Sequence, residues 1–299
     1  MKKISYLKIQ KQIRKSALML STKKLFSYFE LLRLNRPIGI WLLLWPSFCG
    51  LALAAANLFE YLLFLFGTIA LRSAGCVIND MVDVNFDKHV KRSKNRPLAA
   101  GTVNITEALW LIFICLNIGL YVWLQLSTNA KMLSVIAAVM MVIYPFLKRF
   151  TYWPQVFLGF TFNIGFLIAL ANKNVPINIS HLLLYVALIF WTIFYDTIYA
   201  FSDITDDLKI GVKSSAIKMQ KHPKIWLTII NCILFALIIF SFRNTFAIAI
   251  GILGFIYLQY LLSLWQSQSD DSCIETFKKC HYFGLGLWLS LELVRIIAP

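Results

Sequence analysis

Two groups of acidic residues interrupt an otherwise apolar chain. The first lies in NDMVDVNFDKHVKRSKNRP, residues 79–97, where Asp80, Asp83 and Asp87 are followed by five cations within nine residues. The second lies in YDTIYAFSDITDDLKIGVKSS, residues 195–215, and carries Asp196, Asp203, Asp206 and Asp207 ahead of Lys209 and Lys213. Each residue of a helix advances by about 100°. That spacing sets Asp80, Asp83 and Asp87 on one face, and Asp196, Tyr199, Asp203 and Asp207 on one face of a second helix, with Asp206 close beside them. Carboxylates are hard oxygen ligands. They suit Mg²⁺, which keeps several waters and bridges one or two carboxylates to a substrate phosphate. No His or Cys stands beside them at metal-ligand spacing, which argues against zinc. The adjacent cations would repel a bare metal ion, but they fit one that arrives with a polyanion such as diphosphate.

The plain alternative is that these are wet helix ends. Seven of the 14 acids in the chain sit in the two clusters, and acids contribute little to membrane topology. A helix C-terminus disfavours anions, and like charges four residues apart repel. The arrangement costs stability, and acids in such segments usually mark function.

The elements that must position these acids are apolar helices. The chain has 299 residues, 59% of them hydrophobic, and a mean hydropathy of +0.71. A soluble protein of this length would be less apolar and more charged. A spanning helix needs ~20 mostly apolar residues. Nine segments approach this: 37–57, 60–79, 105–126, 131–147, 155–172, 181–202, 224–241, 244–265 and 278–298. Pro37, Pro154 and Pro223 sit where helices begin, as proline prefers. The sequence thus predicts an all-α polytopic membrane protein with the lipid bilayer as its solvent.

The net charge of +15 follows topology rather than nucleic acid. With a cytoplasmic N-terminus, segments 1–36, 80–104, 148–154, 203–224 and 266–279 hold 24 of the 29 Lys and Arg. The opposite loops hold Lys131, Lys173 and Arg243, while Arg72 and Arg295 lie within segments. The long polar loops then share one face, where chemistry is expected. Residues 1–30 read as a basic cytoplasmic arm or interfacial helix, and 31–299 as the transmembrane domain. The arm is rich in Lys rather than Arg, so a bacterial cytoplasmic (inner) membrane is preferred to the mitochondrial inner membrane. The six cysteines show no C-x-x-C or zinc spacing and read as small hydrophobes in a reducing setting. Segments two and six each end in an acidic cluster and a basic loop, a faint echo of two four-helix units with a ninth helix appended.

At these residues the sequence resembles the UbiA superfamily of intramembrane aromatic prenyltransferases, in its 4-hydroxybenzoate polyprenyltransferase branch. The first family motif, N-D-x-x-D-x-x-x-D, appears as Asn79, Asp80, Asp83 and Asp87 within LRSAGCVINDMVDVNFD. KRSKNRPLAAG is similar to the basic loop that follows it, and YDTIYAFSDITDDLKIGVKS to the second motif. YPFLKRFTYWPQVFLG and RLNRPIGIWLLLWP resemble the family's loop between the fourth and fifth helices and its first helix. The resemblance implies nine transmembrane helices around a central cavity, with Mg²⁺ held between the motifs. It implies transfer of a polyprenyl group from polyprenyl diphosphate to the ring of 4-hydroxybenzoate, ortho to the hydroxyl, in ubiquinone biosynthesis.

On this reading Asp83, Asp87, Asp203 and Asp207 are the Mg²⁺ ligands. Asn79 and Asp80 ligate or orient neighbours, and Asp206 is open between ligand and solvated acid. Asp196 is expected near the prenyl head or the aromatic substrate, and Arg149 at a phosphate or carboxylate. Arg72, Arg92, Arg96 and Lys213 fit diphosphate, and Arg36 an aromatic acid, although positive-inside topology alone accounts for several of them. Tyr195 and Tyr199 are candidates to line the cavity. Other acceptors within the family are a dihydroxynaphthoate, homogentisate or haem. A cation transporter would need acids near the bilayer midplane and broken helices, and a transferase of nucleotide-activated lipid head groups would need a D-G-x-x-A-R run that the chain lacks.

Overall fold

The computed structural model describes residues 22–88, 93–211, 213–242 and 245–297. Among them every regular element is helical. Residues 22–31 form α1. There follow α2 (Ile38–Leu53), α3 (Leu58–Val82), α4 (Val84–Asp87), α5 (Ile105–Gln125), α6 (Thr128–Leu147), α7 (Pro154–Asn172) and α8 (Ile179–Ala200). A 3₁₀ turn at Phe201–Asp203 leads into α9 (Ile204–Ile210) and α10 (Ser215–Met219). The chain ends in α11 (Pro223–Ser241), α12 (Thr245–Leu264), α13 (Asp270–Lys279) and α14 (His281–Ile297).

Among the described residues, six stretches are long and apolar enough to cross a membrane: Leu58–Val82, Ile105–Gln125, Pro154–Asn172, Ile179–Asp203, Pro223–Ser241 and Asp270–Ile297. Ile38–Leu53 is apolar but shorter, and α6 and α12 are apolar helices of 20 residues each. The protein is therefore a polytopic helical membrane protein, and each expected segment lies on one of these helices. One expected loop, 266–279, is instead largely the helix α13. Its signals are local: the Ser269 hydroxyl accepts from Ser272 N–H, Asp270 and Asp271 open the first turn, and Lys278 and Lys279 close the last. Acids at the start and cations at the end of a helix both favour it.

Helix starts follow their side chains. Pro154 and Pro223 occupy the first positions of α7 and α11. Asn57 and Glu60 cap α3 reciprocally, and Asn104 and Glu107 do the same for α5. Asn178 and His181 form an equivalent box on α8. Each box satisfies two backbone N–H donors that the first turn would otherwise leave open.

The chain divides into two compact units, which do not follow the four-plus-four echo of the sequence. One comprises the chain up to Ile40 with Phe66–Val122; the other comprises Trp41–Leu65 with Trp123–Pro299. In the first, Leu31, Val77, Leu98, Val103 and Ala108 form a buried cluster, with Tyr28, Leu32, Met81 and Val84 packed against it. This cluster anchors the segment after the first acidic motif, because Leu98 and Val103 belong to it.

In the second unit α8 is the central helix, packed against α7, α11 and α13. Close approach depends on small residues. A Cβ on Gly50 would lie 2.5 Å from the backbone oxygen of Phe166 and 2.9 Å from the Ala169 Cβ. At the far end of α14, Glu292 accepts from the Tyr61 hydroxyl and pairs with Arg295 at 3.3 Å. Arg295 also donates to the Ala56 carbonyl at 3.1 Å. The one intramembrane cation expected near the C-terminus is thus committed to holding helix ends. Gly50→Ala is predicted to cost about 1–3 kcal/mol through overpacking against rigid backbone, seen as a lower unfolding midpoint of the detergent-solubilised protein.

Candidate active site

The first acidic motif begins inside α3 and ends in α4. The helix bends at Asp83, yet Asp83 N–H still donates to Asn79 and Asp87 N–H to Asp83. The bend separates the environments of the three acids. Asp80 and Asp87 are buried, 2% and 6% exposed, while Asp83 and Asn79 are exposed. The two buried carboxylates meet on Arg96, whose Nη1 lies 3.2 Å from Asp80 Oδ1 and 2.8 Å from Asp87 Oδ2. Asp80 is also gripped by Arg33, whose Nη2 donates to both carboxylate oxygens at 2.7 and 2.8 Å. Spacing within the motif could not reveal Arg33, which is distant in sequence. Removing a partner from such a buried pair typically costs about 3–5 kcal/mol.

Arg96 is aimed by its backbone. Its N–H donates to the Ser93 carbonyl, and its carbonyl accepts from Ala100 N–H. Pro97 and the core residue Leu98 follow directly. Arg72 lies within α3 and is half-buried, with its guanidinium against Gly39. A Cβ there would sit 2.9 Å from Arg72 Nε. Arg36 is exposed ahead of α2, and Arg92 lies outside the described residues.

The second motif spans the end of α8, the 3₁₀ turn and α9. The tighter turn at Phe201–Asp203 shifts the phase of the acidic stripe, so the regular 100° progression stops there. Asp196, Tyr199, Asp203 and Asp207 are all half-buried. The Asp206 side chain lies outside the described residues. Gly211, with φ of 73°, ends α9 in the left-handed region and returns its N–H to Asp207. Tyr195 is 1% exposed; its hydroxyl donates to Thr192, and its ring meets Trp191 and Phe277. These contacts pack α8 against α13. Tyr199 stacks on the same Phe277, with ring centroids 4.9 Å apart.

Two basic loops of the second unit are bound together. Lys213 N–H donates to the Lys148 carbonyl at 2.9 Å, and Lys213 Nζ donates to Phe150 O at 3.3 Å. Lys213 and Lys218 both approach the Tyr152 ring, at 5.4 and 4.4 Å from its centroid. Gln155 Oε1 accepts from Ser215 N–H, and the Ser215 and Thr197 hydroxyls lie 2.7 Å apart. Arg149 is exposed on the loop so fixed. No sequence pattern marks Gln155, Thr197 and Ser215 beyond their placement near charged motif residues. None marks Asn163 either. It is fully buried and donates through Nδ2 to Gly159 O, Leu188 O and the Thr192 hydroxyl that Tyr195 also uses.

Residues 43–288 match the UbiA prenyltransferase family. The chain belongs to that family. Among curated UbiA relatives, a Francisella tularensis subsp. tularensis (strain WY96-3418) protein named 4-hydroxybenzoate octaprenyltransferase is 35% identical, covering 93% of this chain and 99% of that protein. A Legionella pneumophila (strain Corby) protein of the same name is 36% identical over 90% of this chain and 98% of its own length. The UbiA fold is seen directly in a homologue from Archaeoglobus fulgidus, solved with GPP and Mg²⁺. It superposes with a TM-score of 0.68 at 18% identity, covering 90% of this chain and all of that one.

For this UbiA-family chain the donor set decides which metal fits. The acids of both motifs offer only oxygen, the ligand type of Mg²⁺. Among the described residues no three His, Cys, Asp or Glu side chains already converge as a metal cage. Gln155→Leu should leave the buried Ser215 N–H without its acceptor, at a cost of about 1–3 kcal/mol. The check is a lower unfolding midpoint together with faster protease cleavage in the Lys213 loop.

Proposed function

We propose that the protein transfers a polyprenyl group from polyprenyl diphosphate to 4-hydroxybenzoate, Mg²⁺-dependently, in ubiquinone biosynthesis. What carries this reading is likeness along nearly the whole chain to proteins of that name. The Archaeoglobus fulgidus homologue, bound to GPP and Mg²⁺, supports a prenyl diphosphate and a divalent ion as the species handled.

The chain's residues have defined tasks in this reaction. Asp83, Asp87, Asp203 and Asp207 would hold Mg²⁺. When bound, the metal supplies Lewis-acid stabilisation of charge developing on the departing diphosphate. Arg96, Lys213, Arg72 and Arg92 neutralise the remaining phosphate oxygens, since fixed cations stabilise a leaving group without reorganising. The bond from the prenyl carbon to the diphosphate oxygen breaks heterolytically, and the electron pair leaves with the diphosphate. The ring carbon ortho to the phenol hydroxyl then forms the new C–C bond and loses its proton, which restores aromaticity. Arg36 and Arg149 are the candidates to hold the acceptor carboxylate, with Asp196, Asn79 and Tyr199 beside the reacting groups. Apolar helices exclude the water that would otherwise capture an allylic cation.

The Lys and Arg distribution supports a cytoplasmic N-terminus, with residues 1–30 as a basic arm and 31–299 as the catalytic domain. Bacterial relatives support an inner-membrane location.

Membranes carrying the protein, given labelled 4-hydroxybenzoate, a polyprenyl diphosphate and Mg²⁺, should yield a lipid-soluble aromatic product, and a chelator should stop its formation. Absence of product with 4-hydroxybenzoate, but turnover of a dihydroxynaphthoate or homogentisate, would reassign the acceptor. Asp87→Asn and Asp207→Asn should each lower turnover by at least a hundredfold while the folded protein is retained. Activity preserved in both variants would refute the ligand assignment.

A further inference from the structure

Arg33 occupies an unusual backbone position. It follows α1 with φ of 58°, in the left-handed region where side chains are disfavoured. Its N–H donates to the Glu30 carbonyl, and the next N–H, of Leu34, reaches back to Phe29. This is the hydrogen-bond pattern of a helix end that normally takes glycine at the left-handed residue. Arginine stands there instead, and its side chain binds both oxygens of Asp80. The adjoining backbone is held as well, because the Ser73 hydroxyl donates to the Leu32 carbonyl at 3.0 Å.

The consequence concerns Arg96. Asp80 and Asp87 both reach it, but both bonds leave from Nη1. A guanidinium has five N–H donors, so Nη2 and Nε are not engaged by these carboxylates. Asp80 would draw Arg96 more strongly if it lacked a cation of its own. With Arg33 neutralising it, Asp80 orients Arg96 rather than capturing it.

We propose that Arg33 and Asp80 form a positioning pair whose task is to hold Arg96 beside Asp87 with donors turned to the diphosphate of the prenyl substrate. Asp80 then acts through Arg96 and is not itself a metal or substrate ligand. The inference rests on the diphosphate chemistry proposed above and adds to it a division of labour within the first motif.

The sign of one binding change separates this role from that of a ligand. Removing a carboxylate from an anion site lowers repulsion, so a bystander or metal-ligand Asp80 predicts that Asp80→Asn binds a bare polyanion equally well or more tightly. A positioning role predicts weaker binding. Inorganic pyrophosphate titrated into the purified full chain in EDTA should bind Asp80→Asn about tenfold more weakly than wild type. Arg33→Gly relieves the left-handed backbone but takes a partner from the buried Asp80, so its unfolding midpoint should fall less than that of Arg33→Ala, while pyrophosphate binding falls by a similar factor. The double variant should be no weaker than either single one, because both act through Arg96. Unchanged or tighter binding in Asp80→Asn, additive losses, or no pyrophosphate binding by wild type in EDTA would each overturn the proposal. If Asp80→Asn does not fold, Arg33→Lys decides: it keeps the charge but loses the two-oxygen grip on Asp80, and pyrophosphate binding should still fall. Prenylation of 4-hydroxybenzoate by wild type is measured in parallel. Turnover with unaltered pyrophosphate binding in the variants sinks the positioning pair alone. The predicted binding pattern without turnover of any aromatic acceptor sinks the reaction alone.

Discussion

Two carboxylates of one motif, both shielded from water, cannot persist without positive charge close by. In this protein that constraint falls on Asp80 and Asp87, and Arg96 meets both of them. The surrounding architecture serves that contact. Leu98 and Val103 enter the core of the first unit and fix the segment that carries Arg96. The end of α1 adopts a strained backbone that delivers Arg33 to Asp80. An opposite charge within reach is what lets ionised carboxylates stay buried.

The second motif is supported differently. Its acids follow a helix that passes through a 3₁₀ turn into a short helix closed by Gly211. Its cations stand on two loops joined by Lys213, Gln155, Thr197 and Ser215. The first motif is held by ion pairs, and the loops beside the second are joined by backbone and hydroxyl hydrogen bonds. Ion pairs in a low-dielectric setting are strong and directional. Hydrogen-bonded loops keep cations half-exposed, where they can meet an arriving anion.

The apolar helices were legible because a bilayer imposes length and composition on any segment that crosses it. The proline starts of α7 and α11 and the Asn caps of α3, α5 and α8 are equally local. The one-face geometry of the acids was only partly legible. Asp80 and Asp87 share a buried environment, but the bend at Asp83 leaves that residue exposed, and the 3₁₀ turn alters the second stripe. Tyr195, a candidate cavity residue from its motif, is buried against Trp191, Thr192 and Phe277, neighbours that only the fold supplies. Helix α13 was overlooked because its polar, amphipathic composition lacks the apolar signal that identified the others.

The sequence by itself determined the solvent, the helices, the oxygen-only chemistry and the pairing of acids with a basic strip. Each of these depends on composition or on spacings of a few residues, and such spacings convert directly into helical faces. Only the tertiary structure decided which cation serves which carboxylate. Arg33 is joined to Asp80 across 47 positions and Gln155 to Ser215 across 60. Partners so far apart are selected by packing and by the cost of an uncompensated buried charge, and neither leaves a periodic trace along the chain.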